Sequence, residues 1–153
     1  MKLITAIGPN NMIGRKGGIP WSCPMEHARF LALTAGKTVV MGRKSYDSLR
    51  KPLPKRRNIV LTENLGARIH GVDVCHSVED ILDKTASDEE VWVMGGAKAF
   101  ELLWDNCDEV HVSWIITPPV ADADTFFPDV DWAGFSLCST SIHKDHVYQI
   151  FRR

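Results

Sequence analysis

No two cysteines in this chain stand as a CxxC pair. Cys23, Cys75, Cys107 and Cys138 are scattered, which argues against a zinc cluster and a dithiol redox motif. No metal is expected, and the thiols are expected to be reduced and mostly buried. Long apolar runs are missing too: none approaches the roughly 20 residues needed to span a bilayer, and the opening MKLITAIG is too short for a secretory leader. A cytoplasmic location with no membrane partner is expected. Charge of one sign is not in excess, the formal net charge being −1, so broad nucleic-acid binding, which needs a strongly basic surface, is not expected. Repeats, low-complexity tracts and linkers are absent, as are G-x-G-x-x-G and Walker loops.

What remains is one domain over residues 1–153, with 44% hydrophobic and 24% charged residues, enough for a sizeable core. KLITAI, TVVMG, NIVLT, VDVC, VWVMGG and EVHVSWII have the length and β-branched content of buried strands. Between them lie helical segments at Pro24 to Ala35, Lys44 to Leu49, Ser77 to Thr85 with Ser77 as N-cap, and Ala97 to Trp104. Strands alternating with helices predict an α/β fold with a mostly parallel sheet covered on both faces. FSLCSTSI and HVYQIFRR read as a final antiparallel edge hairpin, giving eight strands and four helices. Pro9 to Cys23, with Gly14, Gly17 and Gly18, reads as one long loop, either a functional lid or a mobile connection.

In such a sheet, ligands bind beyond the carboxyl ends of strands. Two strands end alike: TVVM runs into Gly42, Arg43, Lys44 and Ser45, and VWVM into Gly95, Gly96, Ala97 and Lys98, each opening a helix. Glycine lets backbone N–H groups approach a ligand, and a helix N-terminus favours phosphate. One such turn is weak evidence, but two followed by cations point to a ligand with several phosphates, such as a dinucleotide. Glu26, in IPWSCPMEHARF, has two readings. With Pro24 at the first helical position and Cys23 as N-cap, it suits the helix dipole and can reach the cap N–H. It also shares a face with Phe30 and Leu33, which places a carboxylate on the wall of an apolar cleft.

The basic segment RKPLPKRR, kept out of a helix by Pro52 and Pro54, is a solvated run, a nucleic-acid patch, or an apolar contact at Leu53 flanked by a cation that suits a ligand with a carboxylate tail. His143 and His146, in HKDH, are expected in an exposed loop. His111 is expected on a strand face rather than as a base. Asp122 and Asp124, in ADAD, are expected as solvated turn residues.

IGRKGGIPW, PMEHARF, VVMGRKSYDSL, PLPKRRNIVLT, VWVMGGAKAF and DADTFFP, in this order over essentially the whole chain, resemble the dihydrofolate reductase family. The resemblance implies NADPH-dependent reduction of 7,8-dihydrofolate to tetrahydrofolate, with dihydrofolate as substrate partner and a monomer expected. It places Glu26 as the pterin-pocket carboxylate, with Ser113 as a hydroxyl bridging the carboxylate and the pterin, and Trp21 with them among the catalytic residues. Ile4, Ala6, Phe30, Leu49, Leu53 and Met94 are implied as pocket walls, and Arg56 as the partner of the glutamate α-carboxylate. Gly14, Gly18, Ile19 and Trp21 fall in the loop that closes over the nicotinamide, with Ala6 and Ile13 near its carboxamide. Gly42, Arg43, Lys44, Ser45, Leu61, Thr62, Glu63, Gly95, Gly96, Ala97, Lys98 and Phe100 complete the implied cofactor site, with a cis bond between Gly95 and Gly96. The chain departs from the family at Glu63, where many members receive the 2′-phosphate. Phe100 replaces a Tyr, Ala123 a Gly, and Ser113 a Thr. Two other readings stay open: the NADPH-dependent pyrimidine reductase of riboflavin synthesis, which shares the fold, and a non-catalytic folate- or nucleotide-binding protein.

Overall fold

The computed structural model describes residues 1–153. Its strands are β1 (Lys2–Ile7), β2 (Met12–Gly14), β3 (Thr38–Gly42), β4 (Arg57–Leu61), β5 (Asp73–Cys75), β6 (Val91–Val93), β7 (Glu109–Ile115), β8 (Thr125–Phe126), β9 (Ser136–Ile142) and β10 (His146–Arg152). The α-helices are α1 (Pro24–Thr34), α2 (Arg43–Leu49), α3 (Val78–Lys84) and α4 (Ala97–Leu103). Eight strands form one sheet in the order β5-β4-β3-β6-β1-β7-β10-β9. All pairs from β5 to β7 are parallel, while β10 is antiparallel to both β7 and β9. This is the α/β sheet with an antiparallel edge hairpin that the sequence predicts. Ser77 caps α3 as expected, its side chain accepting from the Asp80 N–H.

The period-2 alternation of the strands divides the core. Leu3, Ile7, Val40, Ile59, Val91, Val93, Val110 and Val112 face α3 and α4. Ile4, Val39, Met41, Val60 and Trp92 point the other way, toward Tyr46 and Leu49 of α2 and Phe30 and Leu33 of α1. On that second face β1 and β7 run in register, with Ile4 opposite His111 and Ala6 opposite Ser113.

The stretch from Pro9 to Cys23 is not one loop. Pro9–Asn11 makes a 3-10 turn, and Met12–Gly14 is a strand paired with β8. Two or three residues are too few for an alternation to register in the sequence. His146, expected in an exposed loop, opens β10 and is wholly buried, because the β9–β10 turn folds it back against the start of α1. Asp122 and Asp124 are exposed but engaged: Asp122 pairs with Arg15 at 2.9 Å and Lys16 at 3.4 Å, and Asp124 accepts from the Lys16 N–H at 2.8 Å. Three cysteines are buried as expected, and Cys138, on edge strand β9, is exposed.

Candidate active site

Pro24 starts α1, so Glu26 stands in its first turn, half-buried, at the carboxyl ends of the central strands. Cys23 occupies the N-cap position, its carbonyl accepting from the His27 N–H at 3.0 Å but its side chain making no cap bond, the Sγ turning instead to Asp145 and His146. The Glu26 carboxylate makes no hydrogen bond to the protein, so its expected bond to the cap N–H is not formed. Burial lifts its carboxyl above the ordinary value, opposed in part by the nearby Arg29 guanidinium. A half-buried carboxylate without a protein partner is poised for an N–H ligand.

Phe30, one turn further along α1, packs with Leu49, Leu53 and Met94 on the cluster that contains Ile4. Ala6 and Ser113 continue this wall across the paired strands β1 and β7, Ser113 being 3% exposed. At the far end of α1 the Arg56 guanidinium is held by three bonds, to Thr34 Oγ1 at 2.9 Å, Pro54 O at 2.7 Å and Leu31 O at 2.7 Å. It has no carboxylate partner, and burial lowers its pKa. Asn58, 3% exposed, fixes the loop that carries it: Oδ1 accepts from the Leu53 N–H, and Nδ2 donates to Leu53 O and Arg56 O. Sequence reasoning missed Asn58, although a polar residue among the apolar positions of NIVL was a usable signal.

The two glycine turns meet. The Gly42 N–H donates to Gly95 O at 2.7 Å, and a Cβ on Gly42 would stand 3.7 Å from Gly96 N. Gly95 has φ +118, the Gly95–Gly96 bond is cis, and a Cβ on Gly96 would lie 3.1 Å from Ser45 Oγ. No side chain caps α2 or α4, so the N–H groups of both first turns remain free beside Ser45, Arg43, Lys44 and Lys98. That donor set fits a dinucleotide's phosphates. Arg43 is engaged with Asp47 at 2.8 Å and Lys98 with Glu101 at 3.0 Å, exposed pairs of the kind that a stronger anion displaces. Leu61 is buried at the end of β4, Thr62 follows half-buried, and Glu63 is exposed. Phe100, expected at the cofactor, is 2% exposed. Its ring lies under Gly95 and against Phe127, so it supports the turn from below.

Between β2 and α1, Arg15 and Gly18 exchange backbone hydrogen bonds at 2.9 Å around Lys16 and Gly17, both at positive φ as in a type I′ turn. Ile13 is half-buried, Gly14 packs against Thr125, and Ile19 is 64% exposed. Trp21 lies on the bare backbone at the end of β1, since a Cβ on Gly8 would stand 2.8 Å from its Cζ3. Gly8 also escaped the sequence reading.

A sequence model of the family described as dihydrofolate reductase matches residues 1–151. Dihydrofolate reductase of Bacillus subtilis is 33% identical over 140 residues, covering 92% of this chain and 82% of the relative. Dihydrofolate reductase type 3 of Salmonella typhimurium is 34% identical over 143 residues, covering 94% and 87%. Among solved structures, dihydrofolate reductase from Enterococcus faecalis, complexed with NADP(H) and RAB-propyl, superposes with a TM-score of 0.90 at 33% identity, covering 99% of this chain and 95% of that one. Sequence, sheet order and the two converging glycine turns agree, and the chain belongs to the dihydrofolate reductase family.

Proposed function

We propose that the protein reduces 7,8-dihydrofolate to 5,6,7,8-tetrahydrofolate with NADPH. The observation that carries this reading is the pairing of Glu26, an unpartnered carboxylate at one end of α1, with Arg56, a guanidinium without an anion at the other. A flat, polar ring with a carboxylate tail matches both ends. Glu26 accepts two parallel hydrogen bonds from the pterin ring N–H and 2-amino group and so selects which edge of the ring enters. The Ser113 hydroxyl bridges to the same edge. Phe30, Leu49, Leu53 and Met94 hold the aromatic body, and Arg56 takes the glutamate α-carboxylate. NADPH, held along the two glycine turns, supplies the hydride that goes to C6. Glu26 favours that step, because its negative charge offsets the positive charge that the ring acquires on protonation at N5. The proton itself arrives through water, with Trp21 and the loop from Arg15 to Pro20 limiting how much water enters.

A pyrimidine reductase acting on a ribosyl phosphate calls for a phosphate site at the substrate end, whereas Arg56 offers one oriented fork suited to a carboxylate. Mixing the protein with NADPH and either substrate, while following cofactor absorbance, separates the two readings. Oxidation with the pyrimidine and not with dihydrofolate would overturn ours, and oxidation with neither would favour the non-catalytic alternative. The proposal includes a cytoplasmic monomer without a nucleic-acid partner, which sedimentation and cell fractionation test. No helix is long and apolar enough to cross a membrane.

A further inference from the structure

Arg29 lies three residues after Glu26 on α1, the spacing at which opposite charges on a helix pair readily. They do not pair. Arg29 enters no ion pair at all and turns toward the β9–β10 hairpin, donating to His146 Nε2 at 2.9 Å and to His143 Nε2 at 3.1 Å. Its guanidinium also lies 4.0 Å from the centroid of the Tyr148 ring, and the two imidazoles stack at 4.5 Å. Two of these contacts are fixed from behind. His146 is wholly buried and bonded through Nδ1 to Asp145 at 2.7 Å, with Cys23 Sγ 3.5 Å from the same nitrogen. Tyr148 is hydrogen-bonded to His111, which is bonded in turn to Glu109 at 2.6 Å.

The chemistry of the donors sets the direction of these bonds. A guanidinium only donates, so both Nε2 atoms are acceptors and His146 carries its proton on Nδ1, toward Asp145. No imidazole lone pair is left for a metal, although Cys23, Asp145 and His146 place ligand atoms within 4.8 Å of one another. The cluster is therefore organised around Arg29. The groups facing Arg29 are Glu26 and His27 from its own helix, Cys23 just before it, and His143, Asp145, His146 and Tyr148 from the hairpin, with His111 and Glu109 behind Tyr148.

We propose that His143, His146 and Tyr148 are positioning residues that clamp Arg29 away from Glu26, leaving the carboxylate free for the pterin. This rests on the reading of Glu26 as the substrate carboxylate. Without the clamp, Arg29 swings one helical turn and pairs with Glu26. That internal pair competes with substrate, and the apparent affinity falls by the fraction of molecules in which Glu26 remains free. Once substrate is bound the arrangement is the same in both proteins, so saturated turnover is preserved.

The test is a suppression experiment on the full chain with dihydrofolate and NADPH. His146→Ala is expected to raise the dihydrofolate KM about tenfold, as when about nine molecules in ten hold the internal pair, with kcat changed less than about twofold. His146→Gln, whose amide oxygen accepts from Arg29, is expected to restore the wild-type KM. In His146→Ala/Arg29→Leu the KM is expected to return to that of Arg29→Leu alone. Because His146 is buried, His143→Ala at the more open end of the clamp is made as a second variant, with a smaller rise that Arg29→Leu likewise suppresses. A rise that persists unchanged in the Arg29→Leu background overturns the proposal, because a structural defect does not depend on Arg29. An unchanged KM in folded His146→Ala, or in His143→Ala if the first variant does not fold, overturns it equally. Turnover by the wild-type protein reports separately on the function itself, so failure of that reading and failure of the clamp give different results.

Discussion

Arg56 and Arg57 are neighbours in sequence and face opposite ways. Arg57 opens β4 and is neutralised by Asp73 and Asp88, each at 2.8 Å, whereas Arg56 is held by Thr34, Leu31 and Pro54 without meeting any carboxylate. One is a surface ion-pair residue. The other is an oriented guanidinium without an anion.

This difference gives a paired prediction. Arg56→Leu is expected to raise the dihydrofolate KM roughly 10- to 100-fold, the lower range for truncating one partner of a charge pair at a cleft mouth. Arg57→Leu should leave it nearly unchanged. A pterin substrate lacking the glutamate should bind wild type and Arg56→Leu alike. Equal weakening of both substrates would mean that Arg56 acts through loop position, and sensitivity at Arg57 instead would contradict the geometry.

Glu26→Gln is expected to lower turnover at neutral pH by about 10²- to 10⁴-fold, the range for a positioned acid–base group. The loss should shrink as pH falls and solvent protonates N5 more readily. Turnover within about threefold of wild type would remove Glu26 from the role, given that range.

The same variant should be more stable. Burial raises the Glu26 carboxyl above its unfolded value, so the folded state prefers the protonated form. Relative stability is then fully present below the unfolded pKa and is lost as pH rises through the folded one. As pH rises into the neutral range the burial penalty on the charged carboxylate grows, and Glu26→Gln is expected to melt at a higher temperature than wild type. Below the ordinary carboxylate range the difference should vanish. A melting point lower than wild type at pH 7 would show that the carboxylate is stabilising.

Asn58→Ala leaves the carbonyls of Leu53 and Arg56 and the Leu53 N–H without their partner. Unmaking such buried bonds costs about 1–3 kcal/mol, and the loop should loosen where it presents Leu53 and Arg56. The expected result is a lower melting temperature together with a raised dihydrofolate KM and a nearly unchanged NADPH KM. Equal change in both constants would indicate general destabilisation.

On the cofactor side, replacing Arg43 and Lys44 together should weaken NADPH much more than NADH if they meet the 2′-phosphate, and Glu63→Ser should strengthen NADPH alone. Equal weakening of the two cofactors would assign the pair to the shared pyrophosphate.

The long elements were legible in sequence because their patterns are local. TVVMG and EVHVSWII carry enough β-branched residues to declare buried strands, and Pro24 marks the start of α1. The β2–β8 ribbon was not, since its pairing of Met12 with Phe126 depends on residues far apart in the chain. His146 failed for the same reason: HKDH reads as polar, and contacts with Arg29 and Cys23, 117 and 123 residues away, help to bury it. The candidate site was read through its resemblance, while the residues that hold it in place, Asn58, Gly8 and Arg29, have roles set by tertiary neighbours.

Helix α1 also works as a ruler. Its first turn presents Glu26 and its last turn, through Leu31 and Thr34, orients Arg56. At about 1.5 Å per residue, the eight steps from Glu26 to Thr34 span roughly 12 Å, a length that no side-chain motion can alter. On the proposed reading of Glu26 and Arg56, the distance between the two ends of an acceptable ligand is thus written into the number of residues in one helix. Removing or adding a residue between Ala28 and Leu31 would rotate Arg56's anchors by about 100° as well as shift them, so the measure tolerates substitution far better than a change of length.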